Sequence, residues 1–254
     1  MARMSGAEGV MALIMLETAV GGSVVLWASG TWGQVRRGFF LLVGVTVTLC
    51  AAGAWAIAAS GDTRGDVVPV LAGFTGLLAL WQILLLARRE FASKIAGLVA
   101  AAVGAYSLLQ VAGLRPSPPA ALAELVLGAL FLGSTTHGLL LGHWYLVERR
   151  LTNKHMIRSS WFYIGGVVAA FGAALLSSRN PEPDVASLSP LLAVPGFTVL
   201  LASGLVAVCA LISAFVWKLA KEGGRSIQAA TGMFYLAVIM AFAAELSAKV
   251  RFFA

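Results

Sequence analysis

Two histidines and an aromatic pair stand in one long apolar segment, at about residues 120–147. His137 lies near its middle, and His143 directly precedes Trp144 and Tyr145. An ionisable side chain at the midplane of a bilayer is costly unless another group binds it, so such residues are functional candidates. Imidazole can donate a hydrogen bond to a carbonyl and shuttle its proton. The segment therefore predicts a site that handles protons inside a membrane.

Glu17 is a second ionisable residue predicted at mid-depth. It lies about 13 residues from the end of the first apolar segment, which by helical rise places it near the depth of His137. If the first and fifth segments meet inside the bundle, Glu17 and His137 form a proton-sharing pair. The structural alternatives are a protonated Glu17 that hydrogen-bonds a backbone, and a His137 that hydrogen-bonds a neighbouring helix.

His137 and His143 do not share one face of a helix. His143 lies about 9 Å further along and is rotated by about 120°, so the two cannot ligate one ion or haem from this helix. A place in an interfacial aromatic belt is the structural alternative for His143. Gln82, near the end of the third apolar segment, lies at about the level of His143 and can face the same pocket.

The composition is that of an integral membrane protein. The chain has 254 residues, 59% of them hydrophobic and only 11% charged, and its mean hydropathy is +0.89. Soluble domains carry about 25% charged residues. The net charge of +7 is explained by basic connectors at a membrane surface. It does not indicate nucleic acid, because no basic block with interleaved aromatic residues is present.

Eight apolar runs are each long enough to cross a bilayer, which takes about 20 helical residues. The sequence therefore predicts an all-α integral membrane protein with eight transmembrane helices, at about 8–29, 38–60, 67–87, 94–114, 120–147, 157–178, 190–217 and 227–248. The short connectors between them contain Gly, Pro and Asp, which break helices. None is long enough to form a soluble domain.

Basic residues are distributed unequally between the two sets of connectors. Those after helices one, three, five and seven hold twelve Lys and Arg residues, and the other side holds six. Lys and Arg are enriched on the cytoplasmic side of membrane proteins. Both termini are therefore predicted to lie in the periplasm, with the chain as a multi-pass protein of a bacterial inner membrane.

Helices three and seven share a motif, Gly73–Ala79 (GFTGLLA) and Gly196–Ala202 (GFTVLLA). Such self-similarity predicts a duplication. The first four-helix unit would comprise residues 1–119 and the second 120–254, related by an axis along the membrane normal as in parallel transporter repeats. This helix plan is similar to that of polysulfide-reductase-type quinol subunits and of haem A synthases. The resemblance lies in architecture alone and assigns no residues.

One function that fits these features is the membrane subunit of a respiratory-type redox complex. It would bind a quinone, either menaquinone or ubiquinone, and exchange protons with it through Glu17 and His137. Since the connectors contain no soluble catalytic domain, redox partner subunits with haem, iron–sulfur centres or flavin are expected. The predicted quinone pocket consists of Gln82, His137, His143, Trp144 and Tyr145.

The alternatives are a proton-coupled transporter of small molecules or ions, with Glu17 and His137 as the coupling pair, and a structural anchor subunit. Haem b bound by His137 and a methionine is a weaker possibility, because bis-histidine ligation needs axial histidines on two helices. Copper handling would require Met, Cys and His together, and these residues are scattered. No nucleophile–base pair or phosphate loop indicates a self-contained enzyme.

Overall fold

The computed structural model describes residues 6–33, 35–61, 66–148, 150–181 and 194–252. Throughout these ranges the chain is helical or in turns and contains no strand. Eight helices are each long and apolar enough to cross a membrane, which confirms the predicted number. They are α1 Gly6–Ser29, α2 Arg37–Ser60, α3 Val67–Leu86, α4 Glu90–Ala112, α5 Pro118–Val147, α6 Lys154–Ser177, α7 Phe197–Glu222 and α8 Ser226–Lys249, with a short 3-10 turn, Gly30–Trp32, after α1.

The helix ends differ from the predicted bounds most clearly in α7, which was predicted at 190–217. Gly196 precedes the helix with a left-handed φ of 74°, and Gly223 ends it with a φ of 70°. The apolar residues before Gly196 are therefore not part of α7, and 190–193 lie outside the described residues. At the other end, polar residues up to Glu222 continue the helix, because intrahelical hydrogen bonds do not depend on hydropathy.

Helix ends meet at two faces of the bundle. The Ser177 hydroxyl at the end of α6 donates to the Ala248 carbonyl near the end of α8 (2.8 Å). The Asn153 amide before α6 donates to the Ala220 carbonyl near the end of α7 (3.2 Å). We call the face where α1 begins and α8 ends the terminal face, and the face where α1 and α7 end the opposite face.

Helices α1 and α5 are the most enclosed, with 83% and 72% of their most apolar stretches buried. They run in the same direction and touch through glycine. A methyl group at Gly133 would overlap the Gly21 backbone, and one at Gly21 would overlap Ala129. Small residues at such crossings let two backbones approach closely in a membrane. The close α1–α5 contact holds the polar side chains of both helices in fixed register.

Helix α8 packs against α5 in the antiparallel sense. The Phe234 ring lies against Gly138, and the Thr231 side chain lies against Gly142 one turn later on α5. This direction brings the end of α8 beside the first turns of α5. Buried side chains from both predicted four-helix units form one continuous apolar core, and that core surrounds the site described next.

Candidate functional site

Lys249 lies at the centre of a buried cluster of three glutamates. Its ammonium nitrogen is 3.1 Å from Glu17 Oε1, 3.2 Å from Glu124 Oε1 and 3.5 Å from Glu245 Oε2. The side chains of Lys249 and Glu17 are 0% exposed, that of Glu124 is 2% exposed and that of Glu245 is 3% exposed. We call these four residues the lysine–glutamate cluster.

Three helices supply the cluster. Glu245 and Lys249 are four residues apart on α8, the spacing at which two side chains lie on one helix face. Glu17 comes from the middle of α1 and Glu124 from the second turn of α5. Gly128 makes room between these two helices, since a Cβ there would lie 2.6 Å from Glu17 Oε1. The carboxylates can therefore converge only when α1, α5 and α8 are packed.

A second layer of polar groups connects Glu124 with the terminal face. The Asn180 amide donates to Glu124 Oε2 (3.0 Å), and the Arg251 guanidinium donates to the Asn180 carbonyl (2.7 Å). Arg115 donates to Asn180 Oδ1 (3.5 Å). Partial burial lowers the pKa of the Arg115 guanidinium, while the Glu124 carboxylate acts in the opposite direction.

A cavity of about 470 Å³ lies on the terminal face beside this layer. Its walls include Arg115, Arg179 and Asn180, and Glu124 stands at its inner end. Pro116, Ala121 and Leu176 add apolar surface to the same walls. The cavity therefore leads from the terminal face to a carboxylate of the lysine–glutamate cluster.

The charges of the cluster do not balance. All three carboxylates contact the one ammonium, so the cluster has a net charge of −2 when every carboxyl is ionised. Uncompensated charge in a low-dielectric interior is strongly unfavourable. Arg115 and Arg251 reduce this excess from a distance, through Asn180. Protonation of a carboxyl group would remove the remaining excess.

His137 occupies a different site, formed at the opposite-face end of α1. Its Nδ1 atom is 3.1 Å from the Ser159 hydroxyl of α6, and its ring is fully buried. The rings of Trp32, Phe39 and Phe162 surround it, with centroid distances of 5.8, 5.4 and 6.3 Å. We call these three rings the aromatic cage. Among the described residues, His137 Nε2 has no hydrogen-bond partner.

The structure does not bring Glu17 and His137 together. Glu17 lies level with Gly128 of α5, and His137 is nine residues further along that helix, or roughly 14 Å by helical rise. Each has its own partner, Lys249 for Glu17 and Ser159 for His137. The two residues predicted to share a proton therefore belong to separate sites.

The other residues of the predicted quinone pocket point in different directions. Gln82 is buried against Gly44 of α2, and Trp144 lies against Gly38 at the start of α2. His143 is exposed, and its Nδ1 atom is 2.9 Å from the Tyr235 hydroxyl of α8.

Tyr145 stabilises the turn between α5 and α6. Its hydroxyl donates to the Thr152 carbonyl (2.6 Å) and accepts from the Met156 amide (3.1 Å). Among the described ring contacts of these five residues, His137 and Trp144 share one neighbour, the Phe39 ring of α2. The five residues thus do not line one cavity among those described.

Lys249, Glu124 and Glu245 are site residues that the sequence interpretation missed. Lys249 directly follows the last apolar run, so the sequence interpretation assigned it to a connector at the membrane surface. The sequence feature that could have identified it is Glu245, four residues earlier and inside the apolar run, because this order favours an ion pair on one helix face. No sequence feature near Glu17 or Glu124 indicates that these residues contact the Glu245–Lys249 pair.

Comparisons with protein-family models, with curated proteins and with solved structures gave no match. The functional argument therefore rests on the chemistry of the site. Among the residues that the structure describes, no group of His, Cys, Asp and Glu has the arrangement of a metal site.

Proposed function

We propose that this protein is a proton-coupled membrane transporter, in which the lysine–glutamate cluster binds and releases the coupling protons. The observation that carries the proposal is the contact of one buried ammonium with three buried carboxylates inside membrane-spanning helices. Ionisable residues at such positions mark ion and proton pathways in transporters. This function was one of the alternatives that the sequence allowed.

Protonation changes the contacts of Lys249. With all carboxyls ionised, the ammonium is held by three helices at once. When Glu17 takes up a proton, its attraction for Lys249 falls, and the tie between α1 and α8 weakens. A switch of this kind couples a proton to the relative position of helices, which is what coupled transport requires.

Routes by which protons could reach the cluster from either face support the same proposal. The terminal-face cavity reaches Glu124. Towards the opposite face, α5 carries a buried run of hydroxyl groups followed by a histidine, and α6 adds the hydroxyl that contacts this histidine. These residues are Ser134, Thr135, Thr136, His137 and Ser159. The Ser134 and Thr135 hydroxyls donate to the Phe131 carbonyl of their own helix. Histidine is a residue type that relays protons in pumps and transporters, so His137 is the candidate relay group on this side.

We infer further that the two four-helix units, 1–119 and 120–254, are parallel repeats. The corresponding helices α1 and α5 are the two most enclosed of the eight, as expected when equivalent helices meet at a central axis. We also place the terminal face in the periplasm of a bacterial inner membrane, since basic connectors favour the cytoplasm.

Thiol labelling tests this orientation. With Cys50 and Cys209 replaced, a membrane-impermeant maleimide should label an E8C variant in intact cells, because Glu8 is exposed at the start of α1. It should label an E222C variant at the end of α7 only after the cells are opened. The reverse pattern would contradict the assignment of faces.

Proton flux tests the proposed function. The full chain is reconstituted in liposomes that hold a pH-sensitive dye and contain small molecules from a cell extract on both sides, so that cargo is present. An imposed pH gradient should collapse faster than in protein-free liposomes. Glu17→Gln should reduce this flux by about 100-fold, the lower end of what a positioned proton donor or acceptor contributes.

Glu8→Gln is the matched control, because Glu8 is an exposed carboxylate of the same helix, and its flux should equal that of the wild type. A folded wild-type protein that transports no protons, with or without the extract, would refute the proposal and favour a structural anchor. Equal losses in both variants would show that the cluster is not the proton site.

The quinone-binding redox subunit stays a prediction, together with its redox partner subunits and haem b. The residues assigned to the quinone pocket face different neighbours, so no single geometric observation favours that function. Extraction of stoichiometric quinone from the purified protein would revive it.

A further inference from the structure

A large cleft opens on the opposite face of the first four-helix unit, away from the lysine–glutamate cluster. Its volume is about 840 Å³, and its walls come from α1, α2, α3 and α4 and the turn after α1. We call it the interfacial cleft, because it lies where these helices reach the membrane surface. Nothing in the proposed proton path passes through it.

The mouth of the cleft is strongly basic. Arg37, Arg88, Arg89 and Lys94 line it, and Glu90 is the only acidic residue among the lining groups. Four cations against one carboxylate create a positive potential that attracts anions. The deeper walls are apolar and aromatic, so the cleft combines a cationic rim with a surface suited to hydrocarbon.

Three of the four cations are free to meet a ligand. The Arg37 guanidinium donates to the carbonyls of Leu85 (3.1 Å) and Leu86 (3.4 Å) and so caps α3. Among the described residues, Arg88, Arg89 and Lys94 form no ion pair. All three side chains are exposed at the mouth.

Arg88 has an unusual backbone. Its φ is 57°, and it is the only non-glycine residue with a positive φ in the described part of the chain. Such a left-handed residue at the end of a helix is usually glycine, because a Cβ atom is strained there. An arginine at this position keeps a cation at the cleft mouth at a conformational cost. Strained residues of this kind cluster at ligand sites.

The inner walls are formed by Trp27, Phe40 and Trp81, with Ile95 and Leu98 towards the lipid. Trp27, Ile95 and Leu98 are 43%, 48% and 50% exposed, so this wall is open to the surrounding acyl chains. Indole rings favour the boundary between headgroups and hydrocarbon. A ligand with an anionic head and an apolar tail fits both parts of the cleft.

We propose that the interfacial cleft binds an anionic phospholipid, with its phosphate held by Arg88, Arg89 and Lys94 and its acyl chains against Trp27, Ile95 and Leu98. Basic pockets between membrane helices recognise anionic headgroups in this way. The site is independent of the lysine–glutamate cluster and does not rest on the proposed transport function.

Lipid titration of the full chain in mild detergent tests the site, with Kd measured by native mass spectrometry. Phosphatidylglycerol is the probe, and phosphatidylcholine is the comparison lipid with no net charge. The wild type should bind phosphatidylglycerol more tightly. The double variant R88Q/R89Q should weaken this binding by about 30-fold, and Lys94→Gln by about fivefold, as expected for the loss of two and one interfacial cations.

The matched control is K218Q/K221Q, which removes two exposed lysines near the end of α7, also at the opposite face but outside the cleft. Its Kd should be unchanged. Equal weakening in both double variants, or no preference for phosphatidylglycerol over phosphatidylcholine, would overturn the proposal. Displacement by inorganic phosphate as effective as by the lipid would also overturn it, because the acyl chains would then contribute nothing.

Discussion

The lysine–glutamate cluster and the aromatic cage around His137 are two buried polar regions supported by the same central pair of helices, α1 and α5. In the cluster, a buried ammonium meets three carboxylates from three helices. In the cage, a buried imidazole has one hydroxyl partner and is otherwise enclosed by rings. Both sites are buried, but only the cluster has several ionisable groups in contact.

The difference lies in how each site satisfies a polar group. A neutral imidazole needs one or two hydrogen bonds, and the rest of its ring can pack against aromatic side chains. An ammonium in the same environment needs opposite charges, and each carboxylate needs the ammonium. The His137 site can therefore lose its hydroxyl partner at a smaller cost than the cluster loses its ammonium. The predictions below measure that contrast.

The largest effect should follow from Lys249→Met. The variant leaves three buried carboxylates without their common cation, and breaking a buried ion pair from one side costs about 3–5 kcal/mol. The free energy of unfolding, measured with SDS in mixed micelles, should fall by this amount. Lys218→Met removes an exposed lysine and should change the free energy by less than about 0.5 kcal/mol.

Adding Glu17→Gln to Lys249→Met sharpens this test. Once the ammonium is gone, removing one of the unpaired carboxylates should recover about 0.5–3 kcal/mol, the usual coupling between contacting groups. Strictly additive losses in the double variant would mean that Glu17 and Lys249 do not interact, contrary to the 3.1 Å contact.

A smaller loss than that of Lys249→Met should follow from Ser159→Ala beside the aromatic cage. This variant leaves the buried His137 Nδ1 atom without its hydroxyl partner, and an unsatisfied buried polar atom costs about 1–3 kcal/mol. The same SDS unfolding assay measures it.

Ser160→Ala is the control for the cage, because the buried Ser160 hydroxyl bonds only to the Ile157 carbonyl of its own helix among the described residues. Its unfolding free energy should change less than that of Ser159→Ala. If Ser159→Ala proved as damaging as Lys249→Met, the contrast between a neutral and a charged site would be wrong.

Much of the fold was predictable from hydropathy. A helix must span about 30 Å of hydrocarbon with apolar residues, so the eight runs identify α1 to α8 within a few residues at most ends. The main exception, the start of α7, depends on Gly196, whose left-handed conformation is invisible to a hydropathy count. The positions of Glu17 and His137 inside apolar runs also predicted that both are buried, as the structure shows.

The relative depth of these two residues could not be predicted, because depth was counted from the ends of helices that were assumed to be level. Helix α1 has 24 residues and α5 has 30. The turn after α1 already reaches the level of His137, where Trp32 contacts its ring. Helix α5 continues for ten residues beyond that point, to Val147, so equal counts from the two ends do not give equal depth.

Hydropathy along the chain was enough to predict eight helices able to span a membrane, and the four-residue spacing of Glu245 and Lys249 places them on one helix face. Tertiary packing was needed to bring Glu17 and Glu124 to Lys249. That contact requires α1 and α5 to approach through Gly21, Gly128 and Gly133 and α8 to run antiparallel beside them. The energy of a buried charge depends on partners from distant segments, and packing alone selects them.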